Sequence, residues 1–271
     1  MVICRNCGKD NQPGYRFCQE CGSPMFDGAP SLMSTTAPPV GGAAHAALNR
    51  PGGVVKARLV LVRPDGSDGG SHPLVEGVNL LGRGSGPLFD ADSYLSPVHV
   101  RIEIPSTRGD GLFSVRDAGS LNGVFLKISE EEQLVSGSVF RVGQELLRLD
   151  AIRPPRLGDD GTEVMGAPNP GFWGRLCLII GRSADGKIQE GSCFPLYGDA
   201  VVLGRERGDI LFSEDGYVSG THARISYRGG RIYLQDLASS NGTYLRLAGE
   251  RIVAAGAFLL LGQQLFRISP I

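Results

Sequence analysis

The stretch VSGTHARISY, residues 218–227, decides the fold. After His222, the residues Ala223, Ile225 and Tyr227 alternate with Arg224 and Ser226. A period of two puts one set of side chains on each face of a strand. The stretch LSPVHVRIEI, residues 95–104, has the same plan: after His99, Val100, Ile102 and Ile104 alternate with Arg101 and Glu103. In both, a serine stands three residues before the histidine.

Outward from these stretches the chain proves to be two copies of one pattern. The first copy reads RLVLVRPDG (58–66), VNLLGRGSG (78–86), LSPVHVRIEI, FSVRDAGSLNGVFL (113–126) and GSVFRVGQELLRL (137–149). The second reads RLCLIIGRS (175–183), AVVLGRERG (200–208), VSGTHARISY, IYLQDLASSNGTYL (232–245) and GAFLLLGQQLFRI (256–268). Gly204-Arg205 follows Gly82-Arg83 by 122 residues, His222 follows His99 by 123, and Asn241-Gly242 follows Asn122-Gly123 by 119. Short alternating runs bounded by Gly, Pro, Asp and Ser predict an all-β chain of two antiparallel β-sandwiches, with no long amphipathic helix.

The expected organisation is a metal ribbon over 1–25, a linker over 26–54, a sandwich over 55–151, a second linker over 152–171 and a second sandwich over 172–271. Residues 26–54 are rich in Ala, Pro, Gly and Ser/Thr and have no steady period, as flexible linkers do. The second linker contains Thr162 in DDGTEVMG, with acidic residues upstream, a candidate phosphosite. As a free coil this linker spans about 25 Å, close enough for two sites to share one doubly modified partner.

Four of the six cysteines lie in the first 21 residues: Cys4 and Cys7 form one C-x-x-C pair, Cys18 and Cys21 another. Two such turns supply four thiolates, the tetrahedral set that a structural Zn²⁺ takes. A closed four-thiolate site leaves no position open for catalysis. A segment of some 25 residues cannot build a core, so metal binding would supply its folding energy. Cys177 and Cys193, in RLCLII and SCFPL, are expected to be packed side chains.

The 271 residues carry 27 basic and 28 acidic groups, a formal net charge of −1. No basic field points to nucleic acid or an anionic membrane. The apolar run AFLLL (257–261) is too short to span a bilayer. The N-terminus MVICRNCGKDNQ has no apolar secretory core. A cytoplasmic protein with neither nucleic-acid nor membrane partners is the expectation.

Each copy thus holds one ordered set: Gly-Arg at a strand end, Ser-x-x-His before an alternating strand, and Asn-Gly after an aspartate. This set, occurring twice, resembles the forkhead-associated (FHA) domain over about residues 55–151 and 172–271. The resemblance implies eleven-stranded sandwiches whose loops at one end bind phosphothreonine peptides, and a partner that is a Ser/Thr-kinase substrate or the kinase itself. By position it assigns Arg205, Ser219 and Ser240 to the phosphate, Asn241 to the peptide main chain and Gly220 to a backbone amide. His222 and His99 become loop braces. In the first copy Arg83, Ser96 and Asn122 remain. There Leu121 replaces Ser240, Pro97 removes an N–H donor, and Val124 replaces Thr243. The second site is therefore expected to be the better formed.

The residue types suit the task without the family name. A guanidinium offers a planar fork to a phosphate, and a carboxamide both donates to and accepts from a peptide backbone. GRGSG (82–86) lacks the Lys-Ser/Thr ending and following helix of a phosphate-binding nucleotide loop. No nucleophile–base order or open metal site suggests an enzyme. The alternative to an adaptor is a scaffold making constitutive, phosphate-independent contacts.

Overall fold

The computed structural model of the chain describes residues 2–3, 8–11, 53–105, 111–152, 157–183 and 187–271. The described part is almost entirely β, with a single helical turn, α1 (Pro87–Asp90). No helix among the described residues is long and apolar enough to cross a membrane.

Near the N-terminus β1 (Val2–Ile3) pairs antiparallel with β2 (Asp10–Asn11). Residues 4–9 connect them, and Gly8 has φ 75°. Cys4, Cys7, Cys18 and Cys21, the expected zinc ligands, lie outside the described residues.

The first repeat forms β3 (Val55–Val62), β4 (Asp68–Val75), β5 (Gly77–Leu81), β6 (Val100–Ile104), β7 (Leu112–Asp117), β8 (Val124–Lys127), β9 (Glu132–Leu134), β10 (Val139–Val142) and β11 (Glu145–Ala151). The second forms β12 (Gly174–Arg182), β13 (Ile188–Leu196), β14 (Ala200–Gly204), β15 (Ile210–Leu211), β16 (Ala223–Arg228), β17 (Arg231–Asp236), β18 (Thr243–Arg246), β19 (Arg251–Ala254), β20 (Phe258–Leu261) and β21 (Gln264–Pro270).

Strand pairing departs from the sequence order in one decisive way: the repeats exchange their last three strands. β9 pairs with β17, and β11 with β12. Reciprocally, β19 pairs with β7, and β21 with β3. β8 and β18 lie side by side, antiparallel, with Leu126 opposite Leu245. They join both halves into one ten-stranded sheet, ordered β13-β12-β11-β10-β18-β8-β20-β21-β3-β4. A four-stranded sheet, β19-β7-β6-β5, and a five-stranded one, β15-β14-β16-β17-β9, complete the layers.

Each sandwich is therefore composite. The first core holds Leu59, Phe89, Ile102 and Val124 from the first repeat with Val253, Leu259 and Phe266 from the second. The second core holds Ile225, Leu234 and Leu203 with Ile128, Phe140 and Leu147 from the first repeat. Side chains two apart on a strand share a face, so the crossing needs no change of pattern. Leu126 packs on the first core and Ile128 enters the second, while Leu245 packs on the second and Leu247 on the first.

Buried aspartates hold the exchanged hairpins. Asp215 Oδ2 accepts the N–H of Gln144 at 2.6 Å, and Asp92 Oδ2 that of Gln263 at 2.8 Å. Arg251 also ion-pairs with Glu132, tying β19 to β9.

Three sequence expectations change here. The boundaries 55–151 and 172–271 mark the repeats, but neither repeat alone supplies a whole sandwich. The two ends of the stretch 152–171, expected as a spacer between sandwiches, meet on the second sandwich: Ala151 pairs with Gly174, and Ile152 N–H donates to Trp173 O at 3.0 Å. Cys177 and Cys193, expected as independent packed side chains, face each other across β12 and β13 and are joined as a disulfide.

Candidate functional site

In each sandwich one buried histidine gathers three loops. His222 Nδ1 accepts the N–H of Ser219 at 3.0 Å, and its Nε2 lies 3.2 Å from Gly242 O. With Nδ1 accepting, Nε2 is the protonated nitrogen and donates to that carbonyl. The ring is fully buried, and burial pushes its pKa below the ordinary imidazole value against the raising effect of the Gly242 hydrogen bond and Asp236. His99 repeats this arrangement: Nδ1 accepts from Ser96 N–H at 3.1 Å, and Nε2 meets Gly123 O at 3.0 Å. Burial lowers its pKa too.

The loop carrying Arg205 is anchored by its own backbone. Arg205 N–H donates to Ser219 O at 2.9 Å, and Glu206 and Arg207 N–H both donate to Gly220 O. This approach requires Gly204, where a Cβ would press on the carbonyls of Arg207 and Gly220. Arg83 N–H likewise donates to Ser96 O at 2.9 Å.

The Asn-Gly turn closes the site. Ser240 N–H donates to Ser219 Oγ at 3.0 Å, which leaves the Ser219 hydroxyl proton directed elsewhere, available to a ligand. Asn241 Nδ2 donates to Tyr217 O at 2.9 Å. Asp236 fixes the turn by accepting from Ser239 N and Oγ and from Thr243 Oγ1. Tyr244 hydroxyl donates to Asn241 O at 2.9 Å. Burial pushes the Tyr244 phenol up to about 12, so it remains a donor.

The first site reproduces this frame nearly bond for bond. Leu121 N–H donates to Ser96 Oγ at 3.0 Å, Asn122 Nδ2 to Tyr94 O at 2.8 Å, and Asp117 accepts from Gly119, Ser120 N and Ser120 Oγ. The differences are chemical. Leu121 is 66% exposed where Ser240 offers a hydroxyl, and Phe125 stands where Tyr244 carries its donor.

The structure thus brings Arg205, Ser219, Gly220, Ser240 and Asn241 into one loop cluster, and Arg83, Ser96 and Asn122 into another. Three features escaped the sequence reading. Arg205 Nη2 donates to Glu206 Oε1 at 2.7 Å, so the phosphate ligand assigned by sequence is already engaged by its neighbour. Arg207, in the same GRERG stretch, reaches toward Gly220. The carbonyls of Tyr94 and Tyr217 take one N–H of each asparagine, whose main role in sequence was to hold a peptide. The candidate phosphosite Thr162 is exposed, its N–H held by Asp160 Oδ1 at 3.0 Å in a turn with Gly158.

The braced loops thus carry a guanidinium, hydroxyls and a carboxamide on neighbouring turns. Its histidines are locked in structural hydrogen bonds.

The family model described as the FHA domain matches residues 201–259, which include every residue of the second site. A domain of unknown function (DUF7577) matches residues 2–26. FHA domain-containing protein FhaB of Mycolicibacterium smegmatis is 36% identical over 83 residues, 30% of this chain and 54% of that protein. FhaB of Mycobacterium tuberculosis is 44% identical over 55 residues, 20% of this chain and 36% of that protein. The chain therefore spans about half or less of the FhaB proteins it matches. Glycogen accumulation regulator GarA of M. smegmatis is 33% identical over 119 residues, 43% of this chain and 68% of that protein. With the braced Arg, Ser and Asn-Gly loops in place, the chain belongs to the family of FHA-domain proteins.

Proposed function

We propose that the protein is a phosphothreonine-peptide-binding adaptor in Ser/Thr-kinase signalling, with the second site the better formed. The observation that carries this reading is the Ser240 N–H to Ser219 Oγ bond. It fixes the Ser219 oxygen beside the loop that presents Arg205 and leaves its hydroxyl proton free to donate. The phosphate would take Arg205, Ser219, Ser240 and the Gly220 amide, and Asn241 would keep its carboxamide oxygen for the peptide backbone. The FHA relatives support the class of ligand; the kinase and partner stay unnamed.

The test is calorimetric titration of the full chain with phosphothreonine peptides from an oriented library, each beside its unphosphorylated form. Charge-assisted hydrogen bonds contribute about 1.5–3 kcal/mol each, so Arg205→Ala should weaken binding at the second site by roughly 10- to 150-fold. Unchanged affinity in Arg205→Ala, or equal binding of both peptide forms, would sink the reading and favour phosphate-independent scaffolding.

The first site, with Arg83, Ser96 and Asn122 but Leu121 for a hydroxyl, is assigned weaker binding of the same ligand. Thr162 is proposed as an internal ligand: phosphorylated, it docks in the second site and blocks it. Mass spectrometry after kinase treatment, followed by peptide titration, checks this.

The donor set near the N-terminus suits zinc. Two C-x-x-C pairs supply four soft ligands. Cys4, Cys7, Cys18 and Cys21 would hold a structural Zn²⁺, which would serve as the core of that segment. Elemental analysis of the purified chain and of Cys4→Ser tests this.

A further inference from the structure

One hairpin of each repeat ends on a recognition loop of the other. The tip of β10–β11, Gly143-Gln144, belongs to the first repeat and meets the loop that leads to Ser219 in the second. A single carboxylate joins them. Asp215 Oδ2 accepts the N–H of Gln144, while its Oδ1 accepts the N–H of Tyr217 at 2.9 Å. Tyr217 O in turn takes the Asn241 side chain, and Ser219 stands two residues further on. The tip of β20–β21, Gly262-Gln263, does the same for the first site. Asp92 Oδ2 accepts from Gln263 N–H, its Oδ1 accepts from Tyr94 N–H at 2.9 Å, and Tyr94 O takes Asn122.

Both approaches require glycine at the tip. Gly143 has φ 58° and Gly262 φ 60°, a region that residues with a Cβ rarely enter. A Cβ on Gly143 would lie 2.5 Å from Asp215 Oδ2 and 2.6 Å from Cγ2 of Val218; one on Gly262 would lie 2.5 Å from Asp92 Oδ2. Both aspartates are buried, so a lost donor leaves the carboxylate with its desolvation cost. The β10–β11 tip is fixed by ladders, since β10 pairs with both β11 and β18, whereas residues 212–222 contain no strand. A clash at the tip therefore displaces the recognition loop. The second site has one more hold: Arg141 Nε donates to Gly143 O at 2.8 Å, and Arg141 stands opposite Tyr244. Leu260 occupies the matching place, two residues before Gly262.

We propose that the two hairpin tips position the recognition loops across repeats: Gly143, with Arg141, sets the second site, Gly262 sets the first, and neither repeat carries a complete site of its own. The inference rests on the phosphothreonine reading of these loops. It adds that the spacing of Ser219 and Asn241 is dictated by the first repeat, and that of Ser96 and Asn122 by the second.

The experiment reads the two sites separately in the full chain. Arg83→Ala silences the first site and Arg205→Ala the second. Gly143→Ala and Gly262→Ala are each placed in both backgrounds and titrated with phosphothreonine peptides. Gly143→Ala should weaken the second site by roughly tenfold and leave the first unchanged; Gly262→Ala should do the reverse. Arg141→Leu, which gives β10 the residue that β20 already carries, is the milder variant, with a few-fold loss confined to the second site. Amide exchange of the unliganded chain, followed by NMR, reads positioning without peptide. Gly143→Ala should speed exchange at Tyr217, Ser219 and Ser240, and Gly262→Ala at Tyr94, Ser96 and Leu121. Equal losses at both sites, or losses confined to the mutated repeat's own site, overturn the inference alone. Failure of every peptide to bind the unsubstituted chain overturns the recognition reading; the crossed exchange pattern would still uphold the positioning, and its absence would overturn that too.

Discussion

Leu126 and Leu245 stand opposite each other at the centre of the ten-stranded sheet, yet they serve different cores. Two residues further on, each strand has led into the other sandwich: Ile128 lies in the second core and Leu247 packs on the first. Their pairing marks a local two-fold relation between the repeats and locates the exchange.

The exchange is testable by cross-linking. Ser269 pairs with Arg58 in the structure. Were each repeat closed on itself, Asp150, 119 residues earlier, would take that place. The variant Arg58→Cys/Ser269→Cys should form an additional disulfide under mild oxidation, and Arg58→Cys/Asp150→Cys should not. Peptide mapping by mass spectrometry reads the outcome.

Glu206 restrains Arg205, and the same contact holds the Glu206 carboxyl below its usual range. A phosphate must share or displace this partner. Glu206→Gln should therefore tighten phosphothreonine-peptide binding at the second site a few-fold, measured by calorimetry. Weaker binding would show instead that Glu206 orients the guanidinium.

Tyr244 braces the peptide-holding turn through Asn241 O. A net hydrogen bond contributes about 1 kcal/mol, and the phenol is buried, so Tyr244→Phe should lower stability by about that much. It should also loosen the second site, leaving it with the phenylalanine that the first site already has at Phe125. Denaturant melts paired with peptide titration separate the two effects.

His72, His99 and His222 all have pKa values lowered by burial from 6.5. The unfolded chain therefore takes up protons that the folded chain refuses. The sign follows: stability is full above the unfolded value and falls as pH drops through about 6.5 toward the depressed folded values. Thermal midpoints at pH 7.5 and 5.5 should differ, lower in acid, and His99→Asn/His222→Asn should flatten the difference while lowering stability at both.

Much of the fold was legible in sequence because its signals are local. Period-two runs gave the strands, and the repeated Gly-Arg, Ser-x-x-His and Asn-Gly steps marked the loops that the histidines gather. The exchange was not legible, because homologous repeats offer interchangeable strands: the alternation through Leu126 and Ile128 fits either core. The same blindness turned 152–171 into a spacer, since nothing local shows that Ala151 pairs with Gly174. Cys177 and Cys193, 16 residues apart, needed the β12–β13 register to be seen as partners. Glu206 was in plain view beside Arg205, but composition does not say which neighbour a flexible guanidinium will choose.

The antiparallel course of β8 and β18 sets where the two Asn-Gly turns point. Asn122 precedes Leu126 by four residues and Asn241 precedes Leu245 by four, in opposite directions along one axis. At roughly 3.3 Å per residue the turns emerge about 26 Å apart, at opposite ends of the β8–β18 pair. Under the proposed phosphothreonine reading, adjacent phosphates on a single tail would not reach both turns, whereas two separate modified proteins would.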